Sequence, residues 1–245
     1  MRMAVEGKSV LVTGASRGLG KALAEGFTSA HANVASCSLH AGNATRMIDS
    51  GFPPPTVLHR QCDVSSHEEC LGFVEEVVST FGRLDVLINN ASILGLRAPI
   101  ESYPPDVWEN VIRVNLTGVF NMTSAVIPHM KKQMGGSIIN VSSSVGRTGR
   151  KTWGAYAASK FGVEGLTQVL GEELHPWNIR VNSVNPGAMA TEMRHAAFPN
   201  EDPSTLKKPE EILAIFYYLA SEESKEVTGQ TLDAQSFQHA GNIAC

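Results

Sequence analysis

The sequence predicts an α/β fold in which a doubly wound parallel sheet lies between two layers of helices, forming a single three-layer domain of 245 residues. Short runs rich in valine and isoleucine alternate with longer segments whose apolar residues repeat at helical spacing. One run, LDVLINN, is almost continuously apolar, which is typical of a strand buried on both faces. No linker, internal repeat or low-complexity tract divides the chain.

The predicted elements follow one another in a regular order. The predicted strands are SVLVTG, NVASCSL, TVLHRQCDV, LDVLINN, GSIINVSS, IRVNSVNPG and TGQTLDA. The predicted helices comprise the segment after SVLVTG, residues 67–81, residues 105–130, the segment that GAYAASKFG opens, and PEEILAIFYYLASEE. An irregular polar segment at about 188–208 precedes the last helix. Because strands and helices alternate, the sheet is expected to be parallel with helices on both faces.

The composition makes several classes of protein unexpected. The net charge is −4 and no basic stripe occurs, so no nucleic-acid partner is expected. No signal-like segment and no run of eighteen apolar residues occurs, so no membrane association is expected. The four cysteines, at 37, 62, 70 and 245, form no CxxC pair and no zinc-ligand spacing. We therefore expect reduced thiols, no metal site and a cytoplasmic location.

The stretch TGASRGLG, from Thr13 to Gly20, connects the first strand to the first helix. Glycines at 14, 18 and 20 permit a tight turn and let a phosphate approach the amides of the helix. The N-terminus of a helix carries partial positive charge, which favours a pyrophosphate. An ordinary strand–helix turn would explain one of these glycines but not three. The turn therefore indicates a dinucleotide-binding fold of the Rossmann type.

Tyr156 and Lys160 are four residues apart in a predicted helix, so both side chains lie on one face. A nearby ammonium favours the phenolate, and lowering the tyrosine pKa by roughly 2 to 3 units suits general acid or base catalysis. The structural alternative is a core tyrosine beside a lysine that reaches solvent. Ser143 favours a site, because it ends a predicted parallel strand. Its neighbours are Ser142, which strand alternation sends to the opposite face, and Ser144.

Six motifs, in their order and spacing, resemble the short-chain dehydrogenase/reductase family over about residues 6–235. They are TGASRGLG, NNAS at 89–92, Asn115 in RVNLTG, the serines at 142–144, YAASK, and Pro–Gly at 186–187. The resemblance implies that Tyr156 exchanges a proton with a carbonyl or alcohol oxygen, which Ser143 orients. It also implies that Lys160 lowers the tyrosine pKa and holds the nicotinamide ribose, while Asn115 keeps a water in a relay to Lys160.

The resemblance and the glycine turn together assign a cofactor site. Its expected residues are Gly14, Ser16, Arg17, Gly18, Leu19, Gly20, Ser38, Leu39, His40, Asp63, Val64, Asn89, Asn90, Ala91, Tyr156, Lys160, Pro186, Gly187, Met189 and Thr191. By the resemblance, 63–64 contact adenine, 89–91 the ribose and backbone, and 186–191 the nicotinamide. Asp63 has an alternative role as a cap at the end of its strand.

The end of the second strand departs from the family pattern. An acidic residue there hydrogen-bonds the ribose 2′-hydroxyl of NAD, whereas an arginine pairs with the 2′-phosphate of NADP. Here Ser38 and Leu39 occupy those positions, so neither signal is present. Without a carboxylate nothing repels a 2′-phosphate, and Arg17 matches a basic residue of NADP-using relatives. His40 or Arg46 adds further positive charge, so NADP(H) is favoured, with NAD(H) as the alternative.

Three further features concern the substrate and the assembly. The segment at about 188–208 is shorter than the usual substrate-covering segment, which predicts a small lid. The C-terminus reads DAQSFQHAGNIAC where relatives have an aspartate and two glycines, which puts a tetramer contact in doubt. Arg147, Arg150 and Lys151 favour either an anionic substrate or simply a solvated face. Ile93, Leu94, Leu96 and Trp153 are candidates for an apolar pocket wall or for packing.

The leading interpretation is an oxidoreductase acting on a small carbonyl or alcohol. A catalytically silent dinucleotide-binding sensor or scaffold is the first alternative, and a non-redox member of the same family is the second. The presence of Asn115, Ser143, Tyr156 and Lys160 together argues against a silent binder. Family resemblance alone predicts a homodimer or homotetramer.

Overall fold

The structure is a computed structural model that describes residues 4–40 and 56–238. Seven strands form one parallel sheet in the order β3–β2–β1–β4–β5–β6–β7. They are β1 (Ser9–Thr13), β2 (Asn33–Ser38), β3 (Val57–Gln61), β4 (Val86–Asn89), β5 (Gly136–Val141), β6 (Ile179–Asn185) and β7 (Thr231–Asp233). All pairings are parallel, which confirms the predicted fold class.

Helices cover both faces of the sheet. They are α1 (Gly18–Ser29), α2 (His67–Phe81), α3 (Pro105–Ile112), α4 (Gly118–Gln133), α5 (Gly154–Leu174), α6 (Glu192–Ala197) and α7 (Ala214–Ala220). One core packs α1 and α7 against the sheet, around Phe27 and Phe216. The second core packs α2, α4 and part of α5 against the other face, around Met122 and Met130. This arrangement explains why the central strands β1, β4 and β5 consist almost wholly of buried residues.

Two predicted helices are not continuous α-helices. The one predicted over 105–130 contains a π-helical turn at Arg113–Thr117 between α3 and α4. Asn115 lies in this turn, and π-helical turns within helices are frequent at functional sites. The last predicted helix divides into a 3₁₀ turn at Pro209–Ile212, α7, and a second 3₁₀ turn at Glu222–Ser224. Ser221 separates the last two, because its backbone is extended and its hydroxyl caps the following turn.

The strand order reverses between β1 and β4, so the ends of these strands form the crevice where doubly wound sheets bind ligands. Thr13 joins the two strand ends, because its Oγ1 accepts hydrogen bonds from the backbone N–H of Asn90 and of Ala91, both at 3.0 Å. The Asn90 side chain returns hydrogen bonds to the carbonyls of Thr13 and Gly14. The glycine turn therefore has a fixed position at this edge of the sheet.

Within the part of the chain that the structure describes, no helix is long and apolar enough to cross a membrane, and no cluster of histidine, cysteine or acidic side chains has metal-binding geometry. Cys37, Cys62 and Cys70 are buried free thiols. Cys245 lies outside the described residues.

The contact between Gly20 and the glycine turn leaves no room for a side chain. A Cβ at Gly20 would collide with the carbonyl oxygen of Gly14 and with the Asn90 amide. We therefore expect Gly20→Ala to lower the free energy of unfolding by roughly 2 kcal/mol in urea titrations. Gly72→Ala is the matched control in α2, where a Cβ meets nothing within 4 Å, and should raise stability by about 0.5 to 1 kcal/mol. Equal effects for the two variants would contradict this account.

Candidate active site

The N-terminus of α1 is free to receive an anion. Gly18, its first residue, has a φ of +54°, and Arg17 before it contributes no side-chain cap. No acidic residue lies in the first turn, and the helix is twelve residues long. The first amides of a helix lack internal partners and carry partial positive charge. These residues therefore fit a pyrophosphate group, as the sequence predicts for Gly14, Ser16, Gly18 and Gly20.

The side chain of Leu19, a predicted cofactor-binding residue, lies in the core. Its side chain is 6% exposed and packs in the core around α1. Only its backbone can contribute to a ligand site at this turn.

Arg17 forms an ion pair that the sequence does not predict. Its Nη1 lies 2.5 Å from Glu192 Oε2, and about three quarters of each side chain is exposed. Glu192 is the first residue of α6, which also brings Thr191 against the glycine turn: a Cβ at Gly18 would lie 3.5 Å from Thr191 Cγ2. Pairs exposed to this extent contribute at most about 1 kcal/mol. An anionic ligand can therefore take over Arg17 at little cost.

The end of β2 carries no charged side chain, as the sequence predicts. Ser38 is buried, and its hydroxyl donates to the carbonyl oxygen of His40 at 2.9 Å. Leu39 and His40 are exposed. Arg46, the other candidate for positive charge here, lies outside the described residues.

Three residues assigned to the cofactor use their side chains within the protein. The Asn89 amide is buried and donates to Thr123 and Asn140. Val64 is buried in the core, and Asp63 accepts the backbone N–H of Ser65 at 2.9 Å. The alternative interpretation of Asp63 as a cap is therefore the one that its contacts support. Side-chain contacts to a ligand from Asn89 and Val64 are not compatible with their burial.

The loop after β6 reaches the same edge of the sheet. Gly187, which follows Pro186, has a φ of +75°, and its N–H donates to Asn185 Oδ1 at 3.2 Å. Met189 is buried, while the Thr191 hydroxyl caps α6 by accepting the N–H of Arg194. Gln235 hydrogen-bonds the carbonyl of Ala188, so the unusual C-terminal sequence fixes this loop.

Tyr156 and Ser143 come together as predicted. Ser143 lies two residues after Val141, the last residue of β5, and its hydroxyl interacts with the Tyr156 phenol. Tyr156 is 9% exposed, and its ring lies 5.7 Å from that of Trp153 in an edge-on arrangement. Ser142 is buried and its hydroxyl has no described partner, whereas Ser144 is exposed. The strand therefore directs Ser143, and not its neighbours, towards the phenol.

The pKa of Tyr156 differs from the sequence-based expectation. Burial raises it to about 12, and the interaction with Ser143 opposes this only in part. The expected lowering by Lys160 is wrong for this arrangement of side chains. The physical reason is that the ring is buried, and the loss of solvation disfavours the phenolate.

Lys160 is 2% exposed and lies on the same face of α5 as Tyr156. Its Nζ donates to the carbonyl of Val141, the last residue of β5, at 2.7 Å. Burial lowers the pKa of Lys160 to about 8, while the charge of Glu164 acts in the opposite direction. The lysine is therefore held beside the phenol with a pKa close to neutral pH.

Asn115 is fully buried in the π-helical turn. Its Oδ1 accepts the N–H of Ile93 at 2.8 Å, and its Nδ2 donates to the carbonyl of Ile93 and to Ser159 Oγ. Ser159 directly precedes Lys160, so the amide joins the loop after β4 to α5. The predicted water relay from Asn115 to Lys160 stays a prediction.

Apolar side chains pack around Tyr156. Tyr156 packs with Val145 and Ala157, and Leu94, Trp153 and Met193 lie against them. Ile93 belongs to a neighbouring cluster, and Leu96 is 47% exposed. Of the residues that the sequence suggests for a pocket wall, Leu94 and Trp153 therefore lie beside Tyr156.

The contacts of two arginine side chains were not foreseen from the sequence. Arg97 lies 5.0 Å from the centre of the Trp153 ring and 4.9 Å from that of Phe198, and it hydrogen-bonds the carbonyl of Ala197 at the end of α6. Arg147 pairs with Asp233 at 2.5 Å, so it is engaged within the protein. These contacts have no local sequence signal, because the hydrogen-bonded or ion-paired partners are 100 residues apart for Arg97 and 86 residues apart for Arg147.

The fold and the site define an α/β oxidoreductase. A family model described as short chain dehydrogenase matches residues 8–202. The oxidoreductase YciK of Escherichia coli K12 is 37% identical over 237 residues, which cover 95% of this chain and 93% of that protein. The 3-oxoacyl-[acyl-carrier-protein] reductase FabG of Thermotoga maritima is 40% identical over 243 residues, covering 94% and 97% respectively.

Solved structures agree with the sequence relatives. A short chain dehydrogenase from Shigella flexneri has a TM-score of 0.89 and 36% identity, over 98% of this chain and 96% of that one. A short chain dehydrogenase from Escherichia coli CFT073, complexed with NADPH, has a TM-score of 0.85 and 34% identity, over 96% and 99%. The chain belongs to the short-chain dehydrogenase/reductase family.

Proposed function

We propose that the protein is an NADP(H)-dependent reductase of small carbonyl compounds, with Tyr156 as the proton donor. One observation carries the proposal: a buried phenol with a pKa raised to about 12 lies beside the Ser143 hydroxyl and the Lys160 ammonium. The raised pKa keeps the phenol protonated at neutral pH, so Tyr156 holds the proton that a carbonyl oxygen would take up, while the Lys160 ammonium is placed to stabilise the phenolate left behind. Turnover of NADPH with a panel of ketones tests the proposal, and binding without turnover would favour a silent sensor.

Each residue has a defined task in this reaction. Ser143 donates a hydrogen bond to the substrate carbonyl and orients it towards Tyr156. Tyr156 Oη protonates that oxygen as negative charge develops on it, which is the kind of stabilisation that fixed donors provide. Lys160 stabilises the phenolate that remains, because its ammonium lies close to the ring. Trp153, Leu94 and Met193 exclude water from the apolar side of the substrate.

The N-terminus of α1, the backbone at 89–91 and the loop at 186–191 would hold the cofactor, and Lys160 would contact its ribose. When bound, a nicotinamide dinucleotide supplies the hydride. The preference for NADP(H) rests on the absence of a carboxylate at Ser38 and Leu39 and on Arg17. The relatives solved with NADP and NADPH support the same assignment.

Cofactor preference can be measured by fluorescence titration with NADPH and NADH. We expect NADPH to bind at least tenfold more tightly, about 1.4 kcal/mol. Arg17→Ala should weaken NADPH binding more than NADH binding, because only NADPH offers a 2′-phosphate to the guanidinium. The matched control is Arg150→Ala, which removes an exposed arginine from the loop after β5. An equal loss of both affinities in Arg17→Ala would contradict the role of Arg17.

The segment at about 188–208 is proposed to act as the lid. It contains α6, whose first residue pairs with Arg17 and whose C-terminal carbonyl at Ala197 accepts a hydrogen bond from Arg97. Phe198 follows and packs near Trp153, with ring centres 5.9 Å apart. The lid is therefore anchored both at the glycine turn and at the proposed substrate pocket.

A homo-oligomer built on α4 and α5 is also proposed. Phe120 on α4 and Phe161 and Val169 on α5 are large apolar side chains that are 46–54% exposed. Light scattering separates a dimer from a tetramer.

The physiological substrate is proposed only as a small carbonyl or secondary alcohol, since the relatives are named for substrates as different as acetoacetyl-CoA and D-threitol. The cytoplasmic location stays a prediction.

A further inference from the structure

Glu164 is a buried acidic residue on α5, one turn beyond Lys160, and the proposed reaction leaves it without a task. Its Oε2 accepts hydrogen bonds from Ser183 Oγ at 2.6 Å and from Thr231 Oγ1 at 2.5 Å. An oxygen that accepts two hydroxyl hydrogens is the arrangement expected of a carboxylate. Its Oε1 is buried and has no hydrogen-bond partner among the described residues. A buried carboxylate of this kind is unfavourable unless positive charge lies near it.

Lys160 supplies that charge. Residues four apart in an α-helix lie on one face, and both side chains are at least nine-tenths buried. The Lys160 ammonium donates to the neutral carbonyl of Val141, which brings no opposite charge to it. Glu164 is the acidic group whose charge opposes the effect of burial on the pKa of Lys160.

Other charged or titratable groups near Glu164 and Lys160 are either paired elsewhere, uncharged or exposed. Tyr156 lies one turn before Lys160 on the same helix, and Arg147 interacts with Glu164 from the loop after β5. Arg147 is itself paired with Asp233 on β7, so its charge is largely balanced. On α3 and the π-helical turn, which also pack against α5, Asp106, Glu109 and Arg113 are exposed.

We propose that Glu164 is a positioning residue that keeps Lys160 protonated in the working pH range. Through Lys160 it sets the pH above which cofactor binding and carbonyl reduction decline. The effect on cofactor binding and carbonyl reduction rests on the proposed function, whereas the effect on the charge of Lys160 does not.

The direction of the effect follows from the two influences on Lys160. Burial disfavours the ammonium, and the negative charge of Glu164 favours it. Without that negative charge, burial acts with less opposition and the lysine loses its proton at a lower pH. A neutral amine stabilises neither the phenolate of Tyr156 nor a ribose contact as an ammonium does, so the loss is largest at alkaline pH.

Glu164→Gln separates charge from shape. Glutamine keeps the side-chain length and an oxygen that accepts from Ser183 and Thr231, but it carries no charge. Glu173→Gln is the matched control, because it removes the same charge from an exposed position on the same helix. The protonation of Lys160 is followed by NMR in protein containing lysine isotopically labelled at Cε, with the Lys160 signal assigned from its loss in Lys160→Met.

We expect Glu164→Gln to move the titration midpoint of Lys160 down by about one pH unit, and Glu173→Gln to leave it unchanged. The alkaline limb of kcat/KM for carbonyl reduction, and of NADPH affinity, should move down with it, giving roughly a fivefold loss at pH 8 and less than about twofold at pH 6. Glu164→Asp retains the negative charge, so the titration midpoint of Lys160 in this variant should stay close to the wild-type value.

An unchanged Lys160 midpoint in Glu164→Gln would overturn the proposal, whatever happens to stability. A loss of activity that is equal at all pH values would likewise identify Glu164 as a structural tie between α5, β6 and β7. The NMR midpoint needs neither substrate nor cofactor. If the wild-type protein reduces no carbonyl, the proposed function fails while the charge of Lys160 is still decided.

Discussion

Tyr156→Phe should lower kcat for carbonyl reduction by roughly 10³-fold and leave NADPH affinity within about twofold of wild type. The substitution removes one oxygen atom from a side chain that is 9% exposed and leaves the ring packed against Trp153. Because the phenol is the only proposed source of the proton, the remaining rate would come from cofactor and substrate positioning alone. Steady-state kinetics and a fluorescence titration of the same preparation measure both quantities.

Tyr103→Phe is the matched control for the loss of a phenol hydroxyl. That hydroxyl accepts the N–H of Leu96 at 3.0 Å, so it supports the wall of the pocket rather than the reacting atoms. Its removal should change kcat by no more than a few-fold. Retained turnover in Tyr156→Phe would remove Tyr156 from the mechanism. It would also turn attention to a non-redox reaction or to a different donor in the same pocket.

Lys160→Met should make the protein more stable while it abolishes most activity. The pKa of Lys160 is about 8, against 10.5 for a free lysine, so holding the ammonium in the protein costs about 3 kcal/mol below pH 8, net of the attraction of Glu164. Methionine removes this cost and loses the hydrogen bond to Val141, which offsets about 1 kcal/mol. We therefore expect a gain of roughly 2 kcal/mol in the free energy of unfolding at pH 7.

The pH dependence gives the same prediction an independent check. Between pH 8 and 10.5 the unfolded lysine holds a proton that the folded lysine has released, so wild-type stability rises with pH in this window. Methionine has no such dependence, and the advantage of Lys160→Met should disappear as pH approaches 10.5. Urea unfolding at pH 7 and pH 10 measures the difference, with the exposed Lys132→Met as control. A variant less stable than wild type at pH 7 would contradict the stated cost of burial.

The sheet and the glycine turn could be predicted because their signals are local. Strand and helix periodicity is visible within ten to twenty residues, and a turn with glycines at 14, 18 and 20 stands directly between a strand and a helix. Tyr156 and Lys160 were expected on one face for the same reason. Their neighbour Ser143 required one further step, from the end of a parallel strand to the edge of the sheet.

Features that depend on distant partners could not be predicted. The Arg17–Glu192 pair joins residues 175 apart, and the direction of the Tyr156 pKa depends on how much solvent the fold removes. Asn89 is the first residue of the NNAS motif, but its side chain donates hydrogen bonds to Thr123 and Asn140 within the protein. Glu164 did have a signal, since it stands four residues after Lys160, but its meaning depends on burial that only the fold creates.

In the protein without cofactor, the Glu192 carboxylate is paired with Arg17, the residue proposed to bind the 2′-phosphate. A 2′-phosphate that binds Arg17 exchanges with this carboxylate, so the arginine has a counter-ion in both states. The electrostatic gain on binding is then the difference between two ion pairs, so it is smaller than the gain from an arginine without a counter-ion. In the proposed cofactor complex, the exchange also frees the Glu192 side chain, so binding removes one contact between the glycine turn and α6 instead of adding one.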